Sequence, residues 1–447
     1  MKTLEVSCLP LRFYIATMGC QMNEYDSDHM AQVLIDAGYR AAESPGEADL
    51  VLINTCTVRA KAEQKAFSLL GRMAGLKKKR PGLILGITGC IAQQQGSLLL
   101  ERFPALDLVL GTREVHGVAG FVEGIRQGGD RVVAGRLDLL PPPPPLRNGY
   151  FRRRVKALLS IMEGCNNFCT YCVVPYVRGR EWSRPPEQLL AEARRLLSQG
   201  VKEITLLGQN VNSYRFDAGQ PYDFPSLLRD MNSLEGLRRL RFTTSHPKDL
   251  SEDLMGCFSE LETLCPHLHL PVQAGSDSVL RRMHRGYTRE TYMGLVERMR
   301  RARPDIALTS DVMVGFPGET EQDFEDTLDL IREVSFDGMY SFKYSDRPGT
   351  PAAEMDGKVD EEVKTDRLIR LQSLQRSITF RRNRDLEGRE VEILVDGASR
   401  RGGQLTGRTV TNKVVNFTCN SSKYGNTVKV VIKDGCINSL RGEILDI

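Results

Sequence analysis

The stretch Ile161-Met162-Glu163-Gly164-Cys165-Asn166-Asn167-Phe168-Cys169-Thr170-Tyr171-Cys172 sets three cysteines close together, and no further Cys or His follows until His246. Thiolates hold iron–sulfur clusters, usually four to a cubane [4Fe-4S] centre, so a triplet leaves one iron free to bind something that reacts. A closed zinc site is the structural alternative. It wants a fourth Cys or His at short spacing, and none is offered here.

The rest of the chain reads as an intracellular enzyme of more than one domain. Its 447 residues exceed one typical domain, and 41% hydrophobic content is enough for real cores. No uninterrupted apolar run precedes Arg12 and none elsewhere is long enough to cross a membrane, so a cytoplasmic location is expected. Eleven cysteines are an odd number, which argues for reduced thiols rather than a full set of disulfides. A net charge of +4 excludes a polycation. Basic runs at Lys77-Lys78-Lys79-Arg80, Arg152-Arg153-Arg154, Arg381-Arg382 and Arg400-Arg401 each read alone as a solvated face, and together admit RNA as a partner.

Five prolines, Pro141 to Pro145, are stiff and cannot join a core, so they mark a linker. Before them, short apolar runs at Phe13–Thr17, Leu50–Asn54, Leu83–Ile87 and Leu106–Leu110 alternate with amphipathic stretches such as Tyr25, Met30, Val33, Leu34 and Ala37, ended by Gly38. This is a βα repeat and predicts an open parallel sheet. Gly19-Cys20, Thr55-Cys56 and Gly89-Cys90 stand just after three of those strands. Ligands of open α/β sheets sit beyond the carboxyl ends of the strands, so Cys20, Cys56 and Cys90 are expected to meet on one edge. Three small core residues are the plainer alternative, since free Cys is often buried.

Beyond the linker, six more strand-like runs follow: Ala157–Ile161, Glu203–Leu207, Leu240–Thr244, His267–Val272, Leu308–Val314 and Gly338–Phe342. They predict a partial (β/α)6 barrel, since a full eightfold barrel needs about 250 residues. A charged amphipathic helix over Val359–Arg384 leads out of it. The tail carries strand-like runs at Val391–Val395, Gly403–Val410, Thr411–Phe417 and Thr427–Lys433, separated by Gly, Asn and Ser turns, which predict a small antiparallel β-barrel. Basic residues Arg400, Arg401, Arg408, Lys413, Lys423 and Lys429 interleave with them and make contact with an RNA backbone the expectation, a structural cap being the alternative.

The Cys165, Cys169, Cys172 spacing, with Tyr171 before the last cysteine, resembles the radical S-adenosylmethionine (SAM) superfamily. Over nearly its whole length the chain resembles the tRNA-modifying branch of the radical SAM methylthiotransferase family. The blocks that carry this are Met18 to Ser27, Ile53 to Arg59, Gly89-Cys90, Cys165 to Tyr176, Leu207 to Tyr214, His269 to Ser276, Asp311 to Thr320 and Tyr344 to Pro351. The ribosomal-protein (RimO) branch usually has Pro-Lys after the first cysteine, where Gln21-Met22-Asn23 stands here. The branch acting on threonylcarbamoyl-adenosine usually shows Lys and Val before its Asn, and that is absent too.

The resemblance implies an N-terminal methylthiotransferase domain over residues 1–140, a linker over 141–149, a radical SAM domain over 150–380 and an RNA-binding TRAM domain over 381–447. It implies methylthiolation of C2 of N6-isopentenyl-adenosine at tRNA position 37, using two SAM molecules and two [4Fe-4S] clusters. That target is an aromatic C–H with no acidic proton, so general-base chemistry has no purchase on it and a radical does. As in the family, Cys20, Cys56 and Cys90 would hold an auxiliary cluster and Cys165, Cys169 and Cys172 the reducing one. Gly208, Gln209, Asn210, Gln273 and Gly315 would line the SAM site. The implied partners are the isopentenylated tRNA, an electron donor such as flavodoxin or ferredoxin, and sulfur or iron–sulfur delivery proteins, acting on a monomer with no membrane. A non-enzymatic RNA-binding iron–sulfur sensor is the competing class, and would need no open iron. Cys8, Cys257, Cys265, Cys419 and Cys436 share no strand-end pattern and read as plain thiols.

Overall fold

Apolar runs buried on both faces, each followed by a helix, make parallel strands. The computed structural model, which describes residues 10–57, 60–138, 149–152, 154–217, 219–399, 402–419 and 423–445, bears this out. In the N-terminal region β1 (Arg12–Met18), β2 (Arg40–Ala41), β3 (Leu50–Thr55), β4 (Ile84–Gly89), β5 (Leu108–Leu110) and β6 (Val132–Ala134) form one all-parallel sheet in the order β2-β1-β3-β4-β5-β6. Every residue of β3, β4 and β5 is buried. Helix α1 (Gln21–Asp36) covers one face, packing Met30 and Leu34 on Phe13, Leu50 and Leu52. Helix α2 (Ala60–Lys79) covers the other with Ala66, Leu69, Leu70 and Met73 against Val51, Ile53, Leu85 and Ile87. Gly38, at φ +91°, turns the chain out of α1, as the sequence pattern required. The proline run lies outside the described residues.

The chain divides into two compact units. The first runs through Tyr150 and adds Glu163–Cys165 and Val173–Glu181; the second holds the remainder.

In the second unit, β7 (Lys156–Ser160), β8 (Glu203–Leu207) and β9 (Arg239–Phe242) form a parallel sheet in the order β9-β8-β7. The strands β10 (His267–His269), β11 (Ala307–Val314) and β12 (Gly338–Lys343) form another in the order β10-β11-β12. A parallel bridge between Leu240 and Leu264 joins β9 to the approach of β10, giving an open six-stranded arc. The run expected through Val272 stops as a strand at His269, because Pro271 has no N–H to give a ladder. The long helix Glu361–Arg384 packs on β12.

The tail closes as a barrel of β13 (Glu390–Ala398), β14 (Leu405–Thr409), β15 (Val414–Thr418), β16 (Thr427–Gly435) and β17 (Leu440–Ile444), around Ile393, Val415, Phe417, Val430, Ile432 and Leu440. Two features differ from the sequence expectation. The strand β17 reads Leu-Arg-Gly-Glu-Ile, with only Leu440 buried, so no apolar run announced it. It pairs parallel with β15, so the barrel is not wholly antiparallel.

Ion pairs join this barrel to the arc. Arg239 on β9 donates to the Arg408 carbonyl at 2.6 Å and pairs with Glu392 at 3.2 Å. Arg241 donates to the carbonyls of Thr409 and Val410 at 2.8 and 2.9 Å while pairing with Glu203 at 3.1 Å. Asp337 holds Arg382 and Lys413, each at 3.0 Å. Arg241 and Glu203 are both buried, and removing one partner of a buried pair costs about 3–5 kcal/mol, because the other charge stays behind. Arg241→Ala is therefore expected to lower the unfolding free energy of this unit by that order, read by denaturant titration, and the double change Arg241→Met with Glu203→Leu to recover most of it. Equal losses in the single and double variants would show that the pair is not the cause.

Candidate cluster-binding sites

Parallel strands end at the same edge, and β1, β3 and β4 are neighbours, so the residues after them converge. Cys20 caps α1, Cys56 follows β3, and Cys90 opens helix α3 (Cys90–Gln95) after β4. A buried amide pair fastens these turns. Asn23 Nδ2 donates to Asn54 Oδ1 at 2.9 Å, and Asn54 Nδ2 donates back to the Asn23 carbonyl at 2.8 Å and to Ser27 Oγ at 2.9 Å. The Cys20 amide and thiol both donate to Asn23 Oδ1, at 3.3 and 3.2 Å.

Two glycines let the turns approach. A Cβ on Gly19 would stand 2.5 Å from Cys56 Cβ, and one on Gly89 would stand 2.5 Å from Asn54 Oδ1 and 2.6 Å from the Thr55 carbonyl. Both have positive φ, +141° and +90°, which favours glycine independently. Among the described residues no three side chains already stand as a metal-ligand set; the sulfurs are neighbours on a shared edge.

The charge at this edge comes from Arg178. It follows the short helix Val174–Val177, whose Val177, with Val173 before it, packs on Cys90. Arg178 Nη2 bonds Asp26 at 2.6 Å, both side chains being buried, and Nη1 has no hydrogen-bond partner among the described residues. Burial works against the guanidinium's charge, but Asp26, Cys90, Glu163 and Cys20 outweigh it and hold the group firmly protonated. A buried cationic donor acting on Cys90 and Cys20 fits a thiolate-held anionic cluster there. A hydrogen bond from Cys56, aided by Arg178 and opposed by burial, draws the Cys20 thiol down to about 6, whereas burial pushes the Cys90 thiol up.

In the other triplet Cys165 is buried, its amide donating to the Gly179 carbonyl at 3.3 Å within the first unit. In the second unit, the loop of Cys169 and Cys172 is held by Thr170, whose amide and hydroxyl donate to the Met283 and Arg282 carbonyls at 3.1 and 2.9 Å. Ala352 returns an amide to the Thr170 carbonyl at 2.9 Å. Arg285, buried, reaches Cys169 Sγ at 3.5 Å.

The expected SAM residues all follow carboxyl ends of the arc's strands. Gly208 follows β8, and a Cβ there would stand 2.5 Å from Met162 Cγ; Gln209 is half-buried beside it. Asn210 donates to Asp249 at 2.7 Å, leaving a buried Oδ1 without a hydrogen-bond partner among the described residues. Gln273, at φ +71°, bridges to Val312, and Gly315, at φ +71°, donates its amide to Glu319 at 2.9 Å.

The basic residues fare differently. Arg400 and Arg401 lie outside the described residues. Arg408 donates to Asn412, and Lys413 is held by Asp337 and by Asn383 at 2.9 Å, so Lys413 works inside the fold; Lys429 is exposed. Of the remaining cysteines, Cys257 and Cys265 are buried with thiols pushed up to about 11, chiefly by burial. Sequence reasoning missed Arg178 and Arg285, and quoted Asp26 within Met18 to Ser27 without a role. Asn23 and Asn54 stood inside the quoted motifs, with no role attached.

In the cluster-free protein the thiol with the depressed value is thiolate above about pH 6, so Cys20 alkylation by iodoacetamide should level off by neutral pH. Cys90 should still gain reactivity well into the alkaline range. Peptide mass spectrometry across pH reads both, and a common titration curve would show that the two sulfurs share one environment.

Three stretches match known families: residues 12–111 the uncharacterized protein family UPF0004, residues 159–331 the radical SAM superfamily and residues 384–445 the TRAM domain. Proteins named tRNA-2-methylthio-N(6)-dimethylallyladenosine synthase are similar throughout. That of Syntrophus aciditrophicus is 48% identical over 97% of this chain and 94% of its own length. That of Geobacter metallireducens is 49% identical over 96% of this chain and 98% of its own. Among solved structures, the radical SAM methyltransferase TsrM from Kitasatospora setae superposes with a TM-score of 0.56 at 18% identity, covering 77% of this chain and 75% of that one. The cobalamin-dependent radical SAM enzyme OxsB gives 0.52 at 13%, covering 83% and 56%. These two show a shared fold. At such identity over nearly the whole of both sequences, the chain belongs to the family of tRNA-2-methylthio-N(6)-dimethylallyladenosine synthases, radical SAM methylthiotransferases with a TRAM domain.

Proposed function

We propose that the protein methylthiolates C2 of N6-isopentenyl-adenosine at position 37 of tRNA, consuming two SAM molecules per base and using two [4Fe-4S] clusters. The observation that carries this is the second set of sulfurs: Cys20, Cys56 and Cys90 on one sheet edge, separate in sequence from the radical SAM triplet. A radical enzyme needs one cluster to cleave SAM, and a second three-cysteine site gives the transferred sulfur a place to wait.

When bound, an open-iron [4Fe-4S] centre supplies the electron that cleaves SAM at one site and an iron that carries sulfur at the other. Cys165, Cys169 and Cys172 would hold the first, Cys20, Cys56 and Cys90 the second. Asn23 and Asn54 keep the second set together through bonds that need no metal. Arg178 gives the inner side of that edge a positive charge, which favours an anionic sulfur. Gln273 and Gly315 stand on adjoining strand ends, where SAM would be gripped. Flavodoxin or ferredoxin would supply electrons, delivery proteins would supply sulfur or clusters, and the enzyme would act as a monomer. The C-terminal barrel would grip tRNA through Lys429 and the residues around Arg400 and Arg401.

Anaerobic reaction of cluster-loaded protein with SAM, reductant and isopentenylated tRNA, followed by nucleoside mass spectrometry, tests the whole reading. A methylthio increment on the isopentenyl-adenosine is expected. 5′-Deoxyadenosine without it would refute the substrate. Cys172→Ala is expected to lose SAM cleavage altogether, while Cys56→Ala keeps cleavage and transfers no methylthio group. Equal loss of cleavage in both would refute the division of labour.

A further inference from the structure

Seven arginines are buried among the described residues: Arg113, Arg178, Arg184, Arg239, Arg241, Arg285 and Arg367. Six have a carboxylate partner, respectively Glu163, Asp26, Glu192, Glu392, Glu203 and, for Arg367, Glu319. Arg285 is the exception. Its Nη2 donates to the Pro271 carbonyl at 2.8 Å, its Nε to the Tyr287 hydroxyl at 3.0 Å, and its Nη1 lies 3.4 Å from the Tyr171 hydroxyl and 3.5 Å from Cys169 Sγ. Its hydrogen bonds are largely met, but its charge is not. No carboxylate stands within ion-pairing distance of it among the described residues, and the sulfur of Cys169, a proposed cluster ligand, is the one it reaches.

An isolated buried charge is expensive, and natural folds pair it. A cysteine that ligates a cluster does so as thiolate, so a cluster held through Cys169 sets an anion against Arg285. Three thiolates around an oxidised cubane core leave a net negative charge, and one added electron increases it. A fixed cation against one of those sulfurs stabilises the reduced state more than the oxidised one.

We propose that Arg285 is the built-in counter-ion of the reducing cluster: a positioning residue that raises the cluster's reduction potential and makes cluster uptake relieve an unpaired charge. This rests on reading Cys165, Cys169 and Cys172 as cluster ligands, which is checked separately. Full-length protein with Cys20, Cys56 and Cys90 changed to alanine must still take up four irons; if it does not, that reading fails first.

In the same background, Arg285→Lys and Arg285→Met are compared with and without cluster. Arg285→Met should shift the midpoint in an EPR-monitored redox titration to lower potential, and Arg285→Lys should restore most of the shift. Without cluster, Arg285→Met should melt no lower than its parent, since it removes the unpaired charge, and the rise in melting temperature on cluster loading should shrink. Failure of Arg285→Met to load, when Arg285→Lys loads and both cluster-free forms are folded, would carry the same conclusion through iron content. An unchanged midpoint in loaded Arg285→Met, or equal loss of melting temperature with and without cluster, would overturn the proposal and leave Arg285 a hydrogen-bonding brace.

Discussion

Every strand of a parallel sheet runs out at the same edge, and this constraint does more for the chain than any single contact. It places Cys20, Cys56 and Cys90, far apart in sequence, on the turns after three adjacent strands. The arc repeats the device: Gly208, Gln273 and Gly315 follow the ends of parallel strands in the second unit. What each fold adds is local closure. In the sheet it is an amide pair and two glycines without room for a Cβ; in the arc it is backbone bonding of the cysteine loop through Thr170.

Both cysteine sets are backed by a buried guanidinium, yet the two are not alike. Arg178 is paired with Asp26 at 2.6 Å, so the charge it presents to the sulfurs is shared with an acid. Arg285 presents a whole charge. Since interaction energy scales inversely with the local dielectric, that difference is large where water is excluded. Cys20 and Cys90 on one side and Cys169 on the other therefore sit in different fields.

The two βα regions and the cysteine positions were legible because they rest on patterns that a sequence displays: continuous apolar runs and small residues at their ends. Glu203–Leu207 is a strand with the very bounds its five apolar-rich residues suggested. The strands Val132–Ala134 and Leu440–Ile444 were not legible, being a half-buried edge of three residues and a strand with a single buried side chain. Arginines with tertiary roles were equally hidden. Arg178 and Arg285 stand among other charged residues, and only the fold shows that they are buried. Lys413 was misleading for the converse reason, since a basic residue in a basic tail looks solvent-facing until Asp337 is brought beside it.

The amide lock between Asn23 and Asn54 consists of side-chain and main-chain bonds that need no metal to form. Removing whatever is bound at Cys20, Cys56 and Cys90 would thus leave the architecture in place. The three turns, each anchored on its own strand, would wait in register for a replacement. The three cysteines are thereby kept together by the part of the fold that depends least on what they hold.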